Sequence, residues 1–194
     1  MKETLEAMPM SKPDPKRRAL LIVDVQARLA AAMKKETLDR LVANTCILIE
    51  AARLLGIPVI VSEQYPKGLG ATVEPIAERL RSMRINPIDK MTFDASAEPR
   101  ISRLLVELSP RSVVVTGMES HVCVFQTVRE ILRRGIEVNV VTDAVASRTD
   151  ENRLRGLALC ERAGAFATPT ETVVFDWLER AGTDEFKLLS KLLR

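Results

Sequence analysis

Short runs of β-branched and other apolar residues alternate along this chain with longer segments in which apolar residues recur at helical spacing. The predicted strands cover residues 19–24, 58–62, 85–90, 112–116, 138–145 and 165–169. This alternation predicts an α/β fold, a three-layer α/β/α arrangement around a mainly parallel six-stranded sheet. The simplest strand order, 3-2-1-4-5-6, puts the switch point between the first and fourth strands.

The helical segments fall between these runs. The first of them begins at Glu36 or Thr37. The others cover residues 73–81, 96–108, a segment ending at Arg134, 150–163, 170–180 and 183–193. In the segment over residues 96–108, Ser96 is the predicted cap and Glu98-Pro99 the first turn.

The composition indicates one globular domain. With 194 residues, of which 46% are hydrophobic and 28% charged, the chain is long enough for a sizeable core. Residues 1–18 mix Lys, Glu, Pro and Met without a period, which predicts a flexible N-terminal tail before a single domain over residues 19–194.

The charge and the cysteine content limit which binding partners and which cellular compartment are expected. A net charge of +3 with scattered arginines gives little support for a nucleic-acid partner. No apolar run approaches the roughly 20 residues of a membrane span, so no membrane partner is expected. Three widely spaced cysteines do not form a disulfide framework and fit a reducing compartment, from which we expect a cytoplasmic location.

The stretch around Cys123 combines a predicted strand with a helix start. A valine-rich run ends at Gly117 and passes directly into helical spacing. The first turn of a helix has free N–H groups and the positive end of the dipole, so a thiol there is expected to be biased toward thiolate. The alternative is a small buried hydrophobe, which is the usual role of a free cysteine and the one we assign to Cys46 and Cys160.

Three chemically complementary residues fall at the carboxyl ends of predicted strands: Asp24, Lys90 and Cys123. If the sheet forms as predicted, an acid, a base and a thiol meet in one crevice, although a lysine is ordinarily a solvated surface residue. A carboxylate can take the thiol proton, and an ammonium can favour both anions. His121, the chain's one histidine, stands two positions before the thiol and is hard to aim from a tight turn.

Residues 117–124, Gly-Met-Glu-Ser-His-Val-Cys-Val, resemble the nucleophile segment of the isochorismatase-like cysteine hydrolases. Residues 63–70, Glu-Gln-Tyr-Pro-Lys-Gly-Leu-Gly, are similar to the substrate-side loop of the small isochorismatase-domain-containing proteins, and residues 143–148 resemble the stretch after the family's fifth strand. The likeness spans roughly residues 19–172. It implies the Rossmann-like isochorismatase fold and a homo-oligomer, either a dimer or a tetramer.

The resemblance also implies roles for particular residues. It makes Asp24, Lys90 and Cys123 the catalytic triad and the Met118–Glu119 peptide bond a non-proline cis bond. The purpose of that bond, in the family, is to aim backbone N–H groups into an oxyanion hole.

By position, the oxyanion donors are the N–H groups of Val122 and Cys123. The resemblance further implies that Phe93 and either Gln64 or Tyr65 line the substrate pocket.

One departure from the superfamily bears on cofactors. Nicotinamidases carry an Asp-x-His metal motif and a further histidine after the second strand, whereas this chain has Glu63-Gln64-Tyr65-Pro66 there. We therefore expect no metal and no other cofactor, and neither nicotinamidase nor isochorismate-hydrolysing activity.

These observations predict a cofactor-independent hydrolase that acts on a non-peptide C–N bond of a small amide, imide or carbamoyl substrate through a Cys123 thioester. Two alternatives remain open at this stage. One is a non-catalytic assembly or regulatory protein with the same fold, and the other is a redox-sensing thiol protein.

Overall fold

The computed structural model describes residues 17–193, and its centre is a sheet of six parallel strands. The strand order β3-β2-β1-β4-β5-β6 confirms the predicted topology. The strands are β1 (Arg18–Val23), β2 (Val59–Gln64), β3 (Ile88–Lys90), β4 (Ser112–Met118), β5 (Glu137–Ala146) and β6 (Phe166–Thr168).

Helices cover both faces of this sheet. They are α1 (Ala27–Ala30), α2 (Lys35–Leu55), α3 (Pro66–Leu69), α4 (Glu74–Ser82), α5 (Pro99–Leu108), α6 (Phe125–Arg133), α7 (Asp150–Arg162), α8 (Thr170–Leu178) and α9 (Asp184–Leu192). A 3₁₀ turn over Ala95–Ala97 precedes α5, and a π-helical segment over Ser120–Val124 joins β4 to α6. No helix within residues 17–193 has both the length and the hydropathy that crossing a bilayer requires.

Strand β1 divides the core into two halves because its side chains alternate between the faces of the sheet. Leu20 and Ile22 pack into one apolar cluster with residues from α2, α4, α8 and α9. Leu21 and Val23 pack into the other with residues from α5, α6 and α7. All six residues of β1 are buried, so the strand fixes the position of whatever follows its carboxyl end.

The amino-terminal boundary differs from the prediction at its last residue. Most of the tail predicted over residues 1–18 lies outside the described residues. Arg18, however, is the first residue of β1 and is 4% exposed, because its guanidinium contacts the end of α8 instead of solvent.

The predicted start of α5 is wrong. Ser96 lies inside the 3₁₀ turn, which Asp94 caps, and Glu98 caps α5 by accepting a hydrogen bond from the Arg100 N–H. The reason is Pro99, since the residue before a proline is disfavoured in the helical region and Glu98 is extended. The short helices α1 and α3 were not predicted, and the other elements fall within a few residues of their predicted bounds.

Candidate active site

The carboxyl ends of three strands bring Asp24, Lys90 and Cys123 together. Asp24 directly follows β1, Lys90 is the last residue of β3, and Cys123 lies in the π-helical segment after β4. Their exposed fractions are 0%, 2% and 6%. The lysine is thus not the solvated residue that its type suggests by default.

Asp24 and Lys90 form a buried ion pair in which Lys90 Nζ lies 2.7 Å from Asp24 Oδ2. Desolvating two charges is costly unless they are paired and further hydrogen-bonded, and both conditions are met here. The Ser62 hydroxyl donates to Asp24 Oδ1 at 2.7 Å. Asp24 itself adopts φ +52°, a conformation that aspartate tolerates better than most residues.

The ammonium of Lys90 is surrounded by acceptors. It donates to Gln64 Oε1 at 2.6 Å and to the carbonyl oxygens of Thr92 and Phe93 at 3.0 and 3.2 Å. The Gln64 amide nitrogen donates to the Met91 carbonyl at 2.9 Å. The Gln64 side-chain amide thus holds the lysine and the chain that follows it, and the predicted lining of the pocket by either Gln64 or Tyr65 stays a prediction.

The predicted bias of Cys123 toward thiolate is wrong for the protein at rest. Burial raises the pKa of its thiol, and the neighbouring Asp24 carboxylate raises it further, to about 12, although Lys90 acts in the opposite direction. Glu119 also raises this pKa. The sequence argument counted the helix start and left out desolvation, which dominates here. The resting site therefore holds a protonated thiol beside a carboxylate and an ammonium.

The turn that carries the thiol is tightly packed against its neighbours. The Met118–Glu119 peptide bond is cis, at the position that the resemblance implied. A Cβ on Gly117, whose φ is +124°, would lie 2.0 Å from the Val23 carbonyl oxygen. A Cβ on Gly156 of α7 would lie 2.5 Å from the His121 nitrogen. The absence of two side chains thus lets β1 and α7 approach this turn closely.

Polar contacts fix the same turn. The Glu119 carboxylate accepts hydrogen bonds from the backbone N–H and the Nε of Arg148 at 3.0–3.2 Å. His121 Nδ1 lies 3.0 Å from the Ser147 hydroxyl, which also accepts from the Ser120 N–H. His121 is thereby engaged outside the triad.

One of the two predicted oxyanion donors is already used. The Val122 N–H donates to the Glu119 carbonyl at 3.0 Å, within its own turn. Because a backbone N–H has one hydrogen to donate, this contact argues against an oxyanion role for Val122.

The rim of the site is the loop that follows β2. Tyr65 is 48% exposed, and its ring occupies the space where a Cβ on Gly68 would be, 2.3 Å from two ring carbons. Phe93, whose carbonyl oxygen accepts from Lys90, is 54% exposed. Both therefore remain available to a ligand, and their role in binding substrate stays a prediction.

Two buried side chains attach this loop to the sheet. Gln26 donates to the carbonyl oxygens of Gln64 and Gly70 at 3.0 and 2.6 Å and accepts from the Gln64 N–H at 2.7 Å. Glu63 accepts from the N–H and the hydroxyl of Thr72 at 2.6 and 2.7 Å. The segment from Tyr65 to Ala71 is thus held at both ends.

Sequence reasoning missed Ser62, Gln26, Glu63 and Ser147. A serine or glutamine in or beside a strand carries no motif, and its role depends on which side chain lies opposite. Strand alternation gives part of the signal, since Ser62 and Gln64 share one face of β2. Within residues 17–193 no three His, Cys, Asp or Glu side chains are grouped so as to hold a metal ion.

Comparison with known proteins places the chain in one family. The sequence profile of the isochorismatase domain matches residues 18–172. The chain is 37% identical over 175 residues to isochorismatase domain-containing protein 2 of Danio rerio, covering 90% of this chain and 85% of that protein. It is 38% identical over 160 residues to the secreted isochorismatase effector Isc1 of Phytophthora sojae, covering 81% and 76%. A solved structure described as the MAR1 ribonuclease from Caenorhabditis elegans superimposes with a TM-score of 0.84 at 36% identity, covering 94% of this chain and 92% of that one.

Proposed function

This chain belongs to the isochorismatase family, and from that premise we propose that it is a cofactor-independent hydrolase of a small amide, imide or carbamoyl compound, acting through a thioester on Cys123. The observation that carries the proposal is the Asp24–Lys90 ion pair. Both side chains are 0% exposed, and both act on the pKa of the Cys123 thiol. A protein gains little stability from such a pair compared with an apolar core, so a chemical role accounts for it better.

The first half of the proposed reaction follows from the protonation state of the site. With the thiol pKa raised to about 12, only about one molecule in 10⁵ carries a thiolate at pH 7. The thiol must therefore lose its proton as it attacks. Asp24 takes the proton from Sγ, the sulfur bonds to the substrate carbonyl carbon, and the carbonyl π electrons move to the oxygen.

The second half returns the proton. Asp24 gives it to the leaving nitrogen as the C–N bond breaks, which leaves a thioester and a free amine, or a primary amide where the substrate is an imide. Water then attacks the thioester carbon, Asp24 accepts one water proton and returns it to sulfur, and a carboxylic or carbamic acid leaves. Lys90 stays paired with the Asp24 carboxylate and opposes the negative charge that develops. We retain the Cys123 N–H alone as the proposed oxyanion donor.

Two contrasting readings are less well supported. A redox sensor needs a thiolate, whereas this thiol has a raised pKa and is 6% exposed. The ribonuclease name of the Caenorhabditis elegans structure suggests RNA as a substrate, but single-stranded RNA is bound in open basic grooves with stacking aromatics. A triad that is at most 6% exposed fits a small molecule better.

Turnover of a panel of small amides, imides and ureas by the unmodified protein and by Cys123→Ala tests the proposal. We expect hydrolysis of at least one class and its loss in Cys123→Ala, with a Cys123-bound acyl adduct detected by intact mass when turnover is quenched. Cys160→Ala is the matched control because that thiol is also buried and also has a raised pKa, yet lies in α7. Equal turnover in Cys123→Ala and the parent would exclude the thioester.

The assembly alternative predicts the opposite pattern, namely no turnover and no selective labelling of Cys123. The predicted dimer or tetramer is a separate question. Light scattering coupled to size exclusion checks it, and a monomer at micromolar concentration would contradict it.

A further inference from the structure

The two oxygens of the Asp24 carboxylate have different surroundings. Oδ1 accepts the Ser62 hydroxyl at 2.7 Å, whereas Oδ2 lies 2.7 Å from the Lys90 ammonium. Beyond that ion pair, no directed hydrogen bond from residues 17–193 reaches Oδ2. Oδ1 is thus held by a hydroxyl and Oδ2 by the lysine cation, so that each oxygen has one fixed neighbour.

Ser62 holds Asp24 at two points. Its carbonyl oxygen accepts the Asp24 N–H at 3.1 Å, and its hydroxyl donates to Oδ1 of the same residue. The first contact fixes the backbone where it turns to φ +52°, and the second fixes the rotation of the carboxylate. Ser62 is itself 0% exposed and lies in register with Val23 on β1 and Ile88 on β3. Ser62 is thus fixed between two paired strands of the sheet.

The position on β2 explains why both members of the ion pair are held from one strand. Residues two apart on a strand point to the same face. Ser62 contacts the carboxylate, and Gln64, two residues further, contacts the ammonium. The intervening Glu63 holds Thr72 instead.

From this geometry we infer that Ser62 is a positioning residue for the proton transfer: its hydroxyl holds Oδ1 and so fixes the orientation of the carboxylate that takes the proton from Cys123. The inference rests on the proposed function. Among the described residues, the Ser62 hydroxyl donates its hydrogen bond to Asp24, and it acts through that residue.

Charged and titratable groups on two neighbouring elements face the Asp24 carboxylate. They are Lys90 on β3 and the Cys123 thiol on the segment after β4, with Glu119 on the same segment acting on that thiol. None of them replaces the hydrogen bond to Oδ1. Removing the Ser62 hydroxyl therefore leaves a buried carboxylate oxygen unpaired, which disfavours the charged form and frees the group to rotate.

The test uses alkylation of Cys123 by iodoacetamide, followed by intact and peptide mass at pH 5 to 9, because this reaction needs the thiol proton removed but needs no known substrate. In Ser62→Ala we expect the rate at pH 7 to fall about 10- to 100-fold, the effect of losing a hydrogen bond to a charged group. The acid limb of the rate profile should also move to higher pH. Ser62→Thr, which keeps a hydroxyl, should restore most of the rate.

Two controls separate positioning from a general loss of structure. Thr116→Val removes a buried hydroxyl that has no hydrogen-bond partner among the described residues, and it should leave the rate unchanged. A double-mutant cycle with Asp24→Asn gives the second control. If Ser62 acts through Asp24, then Ser62→Ala adds less than about a twofold effect in the Asp24→Asn background. Far-UV circular dichroism confirms that each variant is folded, and if Ser62→Ala is not, the Ser62→Gly variant serves in the same cycle.

The outcomes distinguish this inference from the proposed function. If Cys123 of the parent is alkylated rapidly and Ser62→Ala reacts at the same rate, the positioning role is wrong and the hydrolase proposal stands. Equal effects of Ser62→Ala in the parent and in Asp24→Asn would also overturn it. If Cys123 of the parent reacts no faster than Cys46 and Cys160, Asp24 does not assist the loss of the thiol proton and the positioning role is wrong, whereas the hydrolase proposal is decided by turnover in Cys123→Ala.

Discussion

A buried cation lies at each end of β1, and the surroundings of the two cations differ. Beyond the carboxyl end of β1, Lys90 of β3 pairs with Asp24: both side chains are 0% exposed, and Nζ lies 2.7 Å from Oδ2. At its amino end, Arg18 is 4% exposed, while its partners Asp176 and Glu179 are 57% and 45% exposed and lie 3.5–3.6 Å away. Burial lowers the pKa of Arg18, and the two carboxylates only partly oppose this. One end has a dry pair fixed by further hydrogen bonds, and the other has a pair that water reaches.

The difference separates chemistry from fold stability. A dry pair cannot lose one member without leaving an uncompensated charge, and its charge acts strongly on a neighbouring thiol. A pair open to water is screened and replaceable. The ion pair beyond the carboxyl end of β1 therefore fits the proposed chemical role, and the ion pair at its amino end fits a role in stability.

Breaking the dry pair should give the largest effect. Lys90→Met leaves Asp24 buried without its cation, and we expect the free energy of unfolding to fall by about 3–5 kcal/mol. Cys123 alkylation should slow by about 100-fold or more because the base is no longer held as an anion. Urea unfolding and mass spectrometry measure the two effects.

Adding Asp24→Asn to Lys90→Met provides the control, since it removes both charges. Stability should recover substantially while alkylation stays slow. Recovery of both would mean that the pair does not take part in the chemistry.

The next largest effect is expected from a substitution that crowds the turn carrying Cys123. Gly156→Ala places a methyl group 2.5 Å from the backbone of His121 and Ser120, and we expect a loss of about 1–3 kcal/mol and slower alkylation. Gly164→Ala, two residues beyond the carboxyl end of the same helix, meets nothing within 4 Å and bears only the strain of φ +108°. Thermal unfolding compares the two variants. If Gly164→Ala alone slowed alkylation, the close approach of α7 would not matter for the site.

Alkaline pH should lower the free energy of unfolding through two buried thiols, those of Cys123 and Cys160. The pKa values of Cys123 and Cys160 are each raised to about 12. The thiols of the unfolded chain ionise from about pH 8.5, so between that pH and about 12 the unfolded state binds fewer protons and stability falls as pH rises. The slope is at most about 1.4 kcal/mol per pH unit for each thiol.

Cys160→Ala should reduce this slope by the share of one thiol, and Cys123→Ala by the other. Urea titrations at pH 8 to 10.5 measure the slopes independently of the baseline stability of each variant. An unchanged slope in Cys160→Ala would show that its thiol is not perturbed.

The smallest effect is expected at the amino end. Arg18→Met should lower the free energy of unfolding by about 1 kcal/mol, since its carboxylate partners are largely solvated. The difference from the parent should shrink at high salt, and Cys123 alkylation should be unaffected. A loss as large as that of Lys90→Met would remove the distinction between the two ends.

The fold was predictable because buried parallel strands have nearly continuous apolar sequences. Each run around Leu21, Val114 and Val140 is bounded by residues that end strands, and the order of the elements leaves few topologies. The start of α5 was misplaced because the restriction that Pro99 places on Glu98 outweighs the capping tendency of Ser96.

The site was predictable only in part. Asp24 and Lys90 could be anticipated since residue type and strand end coincide there, and they do form a contact. The pKa of Cys123 depends on how completely other segments cover it, which one sequence window does not contain. Ser62 and Gln26 are recognisable only from the partners that the fold brings to them.

The attachment of the β2 loop by Gln26 and Glu63 has a consequence for how such a protein diversifies. Because side chains outside the loop attach both of its ends to the sheet by hydrogen bonds, the stretch from Tyr65 to Leu69 can change in sequence without moving the ion pair beneath it. An ion pair that stays in place beneath an exchangeable loop allows the rim of the site to change one segment at a time.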